Sequence, residues 1–337
     1  MSQPVPSARS SATRNDVARL AGVSTAVVSY VVNSSKRVSP ATEAKVREAI
    51  AMLGYRPNPA ARALKLGSSE MLGVIIPDAT NPFFASLAHA IEEVAAERGY
   101  ALLIANSGST IRAERRHLEN LASRRVDGVF LCSVLSEPDL RDLAAAEIPA
   151  VLLNHSVEAP GIDSVGVDLR AGSRMAVAHL AEHGHREIGL IIGTNTVGAV
   201  DAREIGWRQG LEEASLAAGP LLRQPFSYQG GYQAGKWLLN SASRPTAVFA
   251  SSDMQGIGLL RAIHEAGLQV PKDIAIVSFD GSLEVEYCWP PLTTVAQPIG
   301  DMAWAAVDAL LGGGGHKRNQ IFPPTLVRRA SCGCQSL

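Results

Sequence analysis

Residues 13–54 contain helix start and stop signals at such short intervals that only three short helices fit between them. Thr13 followed by Asp16 predicts a capped helix N-terminus, and Gly22 predicts the end of that helix. Ser24 then predicts the start of a second helix almost at once. This close spacing is typical of a helix-turn-helix, in which the N-terminal residues of the second helix contact the base edges of DNA.

The second helix is predicted to run to about Val32, with Val28 facing inward. Its outward face then carries the side chains of Thr25, Ala26, Ser29 and Tyr30. Ser39 followed by Pro40 is a capping residue before a proline at the first helical position, which predicts a third helix that ends near Gly54.

The charge of the chain is divided unevenly between this region and the remainder. Residues 1–66 contain ten Lys and Arg against three Asp and Glu, a net charge of +7. Residues 67–337 contain 21 against 29, a net charge of −8. A basic head before an acidic body indicates a nucleic-acid partner for the head and disfavours the alternative of a packing module without a ligand.

Residues 58–69 are predicted to form a hinge helix and a linker. Asn58 is suited to cap a helix and Pro59 to occupy its first position, but a helix of about two turns is marginal in water. We therefore expect the hinge to order on DNA. Leu64 suits a wedge that opens a base step in the minor groove, with Lys65 on the backbone or the groove edge. The alternative is a linker leucine that contacts the body.

From Leu72 onward, short apolar runs alternate with predicted helices of conventional length. The runs are LGVIIP, ALLIAN, VDGVFL and AVLL, followed later by IGLIIG, AVFA and AIVSF. This alternation predicts two parallel α/β units. None of the runs approaches the roughly 18–20 residues of a membrane span, so we expect no membrane partner.

Polar side chains follow the ends of these predicted strands. They are Asp78, Asn154, the pair Ser252 and Asp253, and Asp280. Because open parallel sheets bind ligands at the carboxyl ends of their strands, this placement predicts a binding cleft. Arg203 opens a helix soon after IGLIIG, and an arginine among carboxylates and amides suits a polyhydroxylated ligand. For any single one of the acids or amides, helix capping is the alternative.

The four cysteines are Cys132, Cys288, Cys332 and Cys334. We expect no disulfide framework in a chain of this size without a secretory signal. We also expect no metal site, because the C-x-C at the tail lacks a partnering motif with zinc-finger spacing. The tail cysteines are therefore interpreted as incidental, and His183 as part of a helix end.

The sequence lacks the motifs of the common cofactor enzymes and hydrolases. No G-x-G-x-x-G follows a predicted strand, and neither G-x-x-x-x-G-K-[ST] nor G-x-S-x-G occurs. We therefore predict a non-enzyme without a cofactor. The N-terminal MSQPVPSARSSA lacks the apolar stretch of a secretory signal, which predicts a cytoplasmic protein and disfavours a periplasmic-type solute-binding protein.

Residues 13–66 resemble the head and hinge of the lactose-repressor (LacI/GalR) family of bacterial transcription regulators. The phrases DVARLAGVS, VSYVVN, VREAIAMLGYRPN and AARALK carry this resemblance. It continues to about Arg329 through PDATNPFF, EHGHREIGLI, AREIGWRQGL, TAVFASSD, DIAIVSFDG and PPLTTVAQP. The resemblance implies a ligand-responsive regulator, most often a repressor, that binds a palindromic operator as a homodimer. Since no heptad tail follows Arg329, we expect no coiled-coil tetramer.

The expected fold is an all-α helix-turn-helix head plus an α/β two-lobed, periplasmic-binding-protein-like core of two parallel doubly wound sheets. The predicted segments are a disordered tail (1–12), the helix-turn-helix domain (13–57), the hinge and linker (58–69), and the core (70–330), divided into an N-lobe (about 70–165 and 298–325) and a C-lobe (about 166–296 and 326–330). Three crossings between the lobes suit a hinge that closes on a ligand.

In the head, the resemblance assigns base contacts to Thr25, Ala26 and Tyr30. It assigns phosphate contacts to Ser29 and Asn33, and the wedge to Leu64. The family usually has arginine at the position of Tyr30, where it pairs bidentately with guanine. Because tyrosine has a single hydroxyl and Ala26 offers only a methyl group, we expect a half-site that differs from the common family consensus.

In the body, the resemblance implies that Arg203 and Asp280 bind ligand hydroxyls or an equivalent polar edge and that Phe226 stacks on the ligand. The other residues implied to line the pocket are Asp78, Phe83, Asn154, Ser252 and Gln297. SSDMQG stands where the family usually has ANDxxA, and FDG where it usually has FDD, so Gly281 replaces an acid. These departures predict a smaller or differently oriented ligand. A sugar is the favoured effector, and a nucleoside or purine is the alternative.

Overall fold

The computed structural model of the chain divides into two compact units, Met1–Ser69 and Glu70–Leu337, which are called the head and the body below. The residues that it describes are 12–33, 35–56, 67–133, 140, 148–154, 161–194, 200–241, 244–312 and 319–334. Within these residues, no helix combines the length and the apolar character that crossing a bilayer requires.

The head consists of three helices, α1 (Arg14–Ala21), α2 (Thr25–Asn33) and α3 (Pro40–Leu53). At the start of α1, Asp16 N donates to Thr13 Oγ1, and Thr13 N donates at 3.0 Å to the Asp16 carboxylate. This reciprocal pair is a capping box, which satisfies two of the amides left free at a helix N-terminus. The predicted start of the first helix after Thr13 is thus confirmed.

Glycines in the left-handed conformation end the first and third helices, since Gly22 has a φ of 67° and Gly54 a φ of 59°. Side chains from all three helices and the following segment meet in one small core, made of Val17, Ala18, Val28, Val31, Val46, Ala49 and Tyr55. Val28, predicted to face inward, is fully buried. The small size of these side chains lets the three short helices approach closely.

The body contains twelve strands among the residues described. They are β1 (Met71–Ile76), β2 (Ala101–Asn106), β3 (Gly128–Leu131), β4 (Ala150–Leu153), β5 (Asp163–Val167), β6 (Ile188–Ile192), β7 (Ala218–Arg223), β8 (Ala247–Ala250), β9 (Ala275–Asp280), β10 (Thr293–Ala296), β11 (Asn319–Phe322) and β12 (Thr325–Val327). They form two six-stranded sheets, ordered β11-β5-β4-β3-β1-β2 in the N-lobe and β12-β10-β9-β8-β6-β7 in the C-lobe.

Seven helices of the body cover these sheets in the part of the chain that is described. They are α4 (Pro82–Glu97), α5 (Ile111–Ser123), α6 (Leu169–Glu182), α7 (Ala202–Glu213), α8 (Tyr228–Asn240), α9 (Asp253–Glu265) and α10 (Ile299–Leu311). Helix α10 follows a C-lobe strand but packs against α4 in the N-lobe, while α6 packs on α7 and α8 on α9. Central strands such as β3 and β9 are buried throughout, as expected when helices cover both faces of a parallel sheet.

The predicted two-lobed α/β class is confirmed, with two corrections to its detail. Strand β12 runs antiparallel to β10, so the C-lobe sheet is not wholly parallel. Strand β7 was not predicted, because Pro220 interrupts its pattern; its place at the edge of the sheet is where a proline is tolerated. The chain passes between the sheets three times, after β5, after β10 and between β11 and β12.

Candidate functional site

One strip of the surface of α2 carries the head residues that were predicted to meet DNA. Positions 25, 26, 29, 30 and 33 follow one another at helical spacing, so they share a face, opposite the buried Val28 and Val31. Thr25, Ala26 and Asn33 are exposed, and the remaining two are half-buried.

Two contacts within this region hold polar groups in place at the end of the strip. Asn33 Nδ2 donates to Ser29 Oγ at 3.1 Å. The Lys36 ammonium lies 5.1 Å from the centre of the Tyr30 ring, a cation–π contact. The Tyr30 ring is thereby fixed beside a positive charge, which suits the approach of a phosphate backbone.

The acidic side chains at the two capped helix starts are paired within their own helices. Asp16 pairs with Arg19, and Glu43 pairs with Arg47 at 2.7 Å. The surplus positive charge of the head therefore lies on other side chains, among them exposed Lys36. Leu64 and Lys65, the predicted wedge and its neighbour, lie outside the described residues.

In the body, the guanidinium of Arg203 is held by a fork of hydrogen bonds at the start of α7. Its Nε and Nη2 donate to the two carboxylate oxygens of Asp201 at 3.0 and 2.8 Å. Its Nη1 donates to the Ser251 carbonyl oxygen at 3.0 Å. Burial disfavours the charge on Asp201, but Arg203 outweighs it and lowers the pKa of this carboxyl. The site therefore contains a preoriented, charged arginine.

The ring of Phe226 lies against this guanidinium, with Arg203 Cζ 4.7 Å from the ring centre. Gly193, which follows β6, makes room for the ring. A Cβ on Gly193 would overlap the Phe226 ring at a separation that real structures do not allow. The glycine is thus required for the position of the aromatic ring.

Asp280, at the end of β9, interacts electrostatically with the same arginine and is hydrogen-bonded to Gln297 at the start of the second crossing. Gln297 Nε2 donates to Asp280 Oδ1 at 2.9 Å, and Gln297 N donates to the Asp280 carbonyl oxygen at 3.1 Å. Asp280 has a φ of 121°, a strained conformation for a residue other than glycine. Burial raises its pKa well above the usual range; the Asp253 carboxylate adds to the shift, while Arg203 opposes it.

Asp253, at the start of α9, joins the ends of β9 and β10. Its carboxylate accepts from Ser278 Oγ at 2.5 Å, from Thr294 Oγ1 at 2.7 Å and from Ser282 N at 2.6 Å. Burial raises the pKa of Asp253, and these three hydrogen bonds oppose the shift. Asp253 thereby links β9, which ends at Asp280, to β10, which ends directly before Gln297.

Among the described residues of the body, three buried side-chain polar atoms have no hydrogen-bond partner: Asn154 Oδ1, Ser282 Oγ and Gln297 Oε1. Asn154 follows β4 of the N-lobe sheet. Ser282 and Gln297 follow β9 and β10 of the C-lobe sheet. Buried polar atoms in proteins are nearly always paired. Asn154 Oδ1 and Gln297 Oε1 are therefore suited to a polar ligand bound at the strand ends, whereas the Ser282 hydroxyl also lies near the Asp253 carboxylate.

Three other predicted pocket residues have local partners instead. Ser252 Oγ accepts from Gln255 N at 3.3 Å and so caps α9. Asp78 Oδ1 accepts from the backbone N and the hydroxyl of Thr80, at 2.9 and 2.7 Å. Phe83 is buried, with its ring centre 5.1 Å from that of a neighbouring phenylalanine. The capping alternative thus accounts for the contacts of Ser252.

The structure brings Arg203 against Phe226 and Gln297 against Asp280, and an electrostatic interaction between Arg203 and Asp280 links the two pairs. Asp78, Phe83 and Asn154 belong to the N-lobe. Sequence reasoning missed the residues that hold these side chains in place, namely Asp201 and Ser251 beside Arg203, and Ser282 beside Asp253. A signal for Asp201 was available, because an acid two residues before an arginine at a helix start can cap the helix and pair with the side chain.

Two family models match the chain. "Bacterial regulatory proteins, lacI family" matches residues 13–58, and "Periplasmic binding protein-like domain" matches residues 177–332. The ribose operon repressor of Escherichia coli (strain K12) is 34% identical over 322 residues, which are 94% of this chain and 96% of that protein.

Two further comparisons agree with these models. The HTH-type transcriptional repressor PurR of Photobacterium profundum is 33% identical over 305 residues, 89% of this chain and 91% of that protein. The crystal structure of the lac repressor dimer bound to operator and the anti-inducer ONPF superposes with a TM-score of 0.85 at 32% identity, covering 95% of this chain and 99% of that one.

Proposed function

This chain belongs to the lacI family of bacterial regulatory proteins, and we propose that it represses transcription by binding a palindromic operator as a homodimer. It is a DNA-binding transcriptional regulator rather than an enzyme, as its relatives are repressors. Acting on DNA, it works in the cytoplasm. A small molecule bound between the lobes of its body controls the affinity of its head for the operator.

The exposed strip of α2 reads the operator in the major groove. Thr25, Ala26 and Tyr30 contact base edges, and Ser29 and Asn33 contact phosphates. In the hinge, Leu64 opens the central base step and Lys65 contacts the groove edge. With one hydroxyl at position 30, the protein lacks the two-pronged guanine contact of an arginine and prefers a different base there.

The effector is a sugar, and the unpaired buried atoms of the body carry this proposal. Asn154 Oδ1 and Gln297 Oε1 are carbonyl oxygens and accept only, so the ligand must supply donors to them. Arg203 uses three of its five N–H groups on Asp201 and Ser251, which leaves two for ligand oxygens. Hydroxyl groups both donate and accept, so a polyhydroxylated molecule satisfies both requirements.

The remaining predicted residues complete the pocket around this ligand. Asp280 accepts from or donates to a hydroxyl, depending on its protonation, and Phe226 presents the ring face turned away from Arg203. Asp78, Phe83 and Ser252 line the walls. Because residues of both lobes contact the ligand, it favours one arrangement of the lobes over the other, and this shift in population changes the presentation of the paired heads.

A purine is the second candidate, and the Phe226 ring favours it. An aromatic side chain in a polar cleft offers a stacking surface for a flat base, and PurR is among the relatives of this chain.

The effector is identified by thermal unfolding of the full chain with a panel of pentoses, hexoses, nucleosides and purine bases. A ligand that binds the folded state raises the melting temperature by mass action. We expect a pentose or hexose to raise it and to change the affinity for operator DNA. A rise in melting temperature with purines alone would identify a purine as the effector in place of a sugar. Ligand binding without any change in DNA affinity would contradict the regulatory proposal.

The operator is identified by selection of binding fragments from random duplex DNA with the full chain. We expect an inverted repeat whose half-sites lie about one helical turn apart, and an affinity that falls steeply with salt. Recovery of unrelated fragments, with and without effector, would contradict the repressor proposal.

A further inference from the structure

The C-terminal segment of the body brings two cysteines against two histidines that are far away in the sequence. His179 lies in the last turn of α6 and His183 directly follows this helix. Cys332 and Cys334 follow β12 at the other end of the lobe's sequence. One donor atom from each residue, two imidazole nitrogens and two sulfurs, lies within 4.8 Å of every other. These four residues are called the His–Cys cluster below.

We propose that the His–Cys cluster is a tetrahedral Cys₂His₂ site for Zn²⁺ that fastens the C-terminal segment to α6. Zinc binds thiolates at about 2.3 Å and imidazole nitrogens at about 2.05 Å, so a tetrahedron has nitrogen–sulfur edges of roughly 3.6 Å. Cys334 Sγ lies 3.6 Å from His179 Nε2 and 3.4 Å from His183 Nε2. Cys332 Sγ lies 3.1 Å from His179 Nε2. These three nitrogen–sulfur separations are within about 0.5 Å of the expected edge, and all four donor atoms lie within 4.8 Å of one another.

A network of hydrogen bonds without a metal explains this arrangement less well. The Nε2 atom of His179 faces both sulfurs, and without a metal it either donates one proton to one of them or accepts from S–H groups, which are weak donors. His183 Nε2 faces Cys334 as well. A cation at the centre pairs with all four donors together, and a set of two sulfurs and two nitrogens is one that Zn²⁺ prefers.

The surrounding residues position the ligands as they do around structural metals. Thr293 Oγ1 donates to Cys332 Sγ at 3.0 Å. The buried Ser331 donates to the Ile276 carbonyl oxygen at 2.7 Å and accepts from Thr293 N at 2.8 Å. The turn that carries Cys332 is therefore bound to β9 and β10. Such contacts to ligands and their neighbours orient a metal site and affect its affinity.

Gly333 allows the two cysteines of the C-x-C to face the same point. Its φ of 97° lies in the region that favours glycine, and it reverses the chain between Cys332 and Cys334. The histidines are spaced i, i+4 across the end of α6, which places them on one face. Their rings lie 4.7 Å apart, nearly at right angles.

The proposal replaces the sequence interpretation of the tail cysteines as incidental. The sequence does contain H-x-x-x-H, formed by His179 and His183. Cys332, which faces His179, lies 153 residues farther along the chain. The separation exceeds any compact zinc-finger spacing. Since all four positions are protein ligands, the site is structural, in contrast to catalytic zinc sites, which keep a position open.

Metal content and spectra of the full chain test the proposal. Reduced protein is stripped with a chelator and titrated with Zn²⁺ and, separately, with Co²⁺. We expect one Zn²⁺ per chain, a higher melting temperature with Zn²⁺, and the intense visible bands of tetrahedral Co²⁺ with thiolate charge transfer. Cys334→Ser and His183→Gln, at partly exposed positions, should keep the fold by circular dichroism and lose the stoichiometric ion.

Matched controls separate the cluster from the other cysteines and histidines. Cys288→Ser and His185→Gln change the same residue types outside the cluster and should bind Zn²⁺ as the wild type does. Failure of the reduced wild type to retain Zn²⁺ would overturn the proposal. Equal retention by Cys334→Ser and His183→Gln would overturn it too, as would a Cys332–Cys334 disulfide with no effect of Zn²⁺ on stability. None of these readouts depends on DNA or effector binding.

Discussion

In the head, five side chains predicted to contact DNA lie within the nine residues of α2, whereas in the body Asn154, Arg203 and Gln297 belong to elements spread along the chain. The head has a small core of mostly valine and alanine and places its contact residues on an exposed strip. The body places its candidate contacts at buried or half-buried positions among carboxylates and hydroxyls. A site built on one helix can thus be recognised from local pattern, while a site built at strand ends depends on topology.

Val28→Asp should have the largest effect and tests whether the head folds independently of the body. Val28 is fully buried, and an unpaired buried charge costs on the order of 3–5 kcal/mol, which a three-helix unit can hardly tolerate. We expect loss of operator binding in a gel-shift assay, with the effector-induced rise in melting temperature retained. Ala51→Asp places the same charge at an exposed position of α3 and should leave the head folded. Loss of effector binding in Val28→Asp would show that the two units are not independent.

Arg203→Ala should abolish the effector response and keep DNA binding. Loss of a charged hydrogen bond from Arg203 to the effector, about 1.5–3 kcal/mol, should lower effector affinity in calorimetry by roughly 10- to 150-fold. Arg208→Ala removes an exposed arginine of the same helix and serves as the control. A normal effector response of Arg203→Ala would show that Arg203 does not contact the effector.

Tyr30→Arg should change which operator the head prefers without affecting the body. Arginine at this position can pair bidentately with guanine, a contact worth about 1–3 kcal/mol of discrimination against other bases. We expect operators selected by the variant to gain a guanine in each half-site, with unchanged effector affinity. An unchanged base preference would show that position 30 does not contact a base edge.

Asn154→Gly should have the smallest effect and tests the unpaired acceptor of the N-lobe. Glycine keeps the backbone conformation, since Asn154 has a φ of 52°. Loss of one hydrogen bond to the effector, about 1 kcal/mol, should weaken binding roughly fivefold, while the melting temperature of the unliganded protein changes little. Equal effector affinity in the variant and the wild type would place the ligand away from Asn154.

The elements of the fold were largely predictable, and the exceptions have physical reasons. Caps and glycines bound the head helices at the predicted residues, because these signals act within one turn. Buried strands such as β3 and β8 stand out as short apolar runs. Strand β7 is an edge strand with a proline, and β12 has three residues, so neither carries a clear pattern.

The candidate site was predictable in part. Arg203, Phe226, Asp280 and Gln297 were predicted, and they form two contacting pairs, Arg203 with Phe226 and Asp280 with Gln297. Their roles toward the effector stay predictions. Asp201 and Ser282 were not predicted as site residues, because their contributions arise from contacts with distant strand ends.

The sequence by itself determined the three-helix basic head, the alternation of strands and helices, and the identity of the side chains at the strand ends. These properties follow from interactions between neighbours along the chain. Only the tertiary structure decided that Arg203 forms two hydrogen bonds with Asp201, that Asn154 and Gln297 carry buried oxygens without partners, and that Cys332 meets His179. Which strands lie side by side, and which termini return to the same helix, is set by packing between residues far apart in the chain.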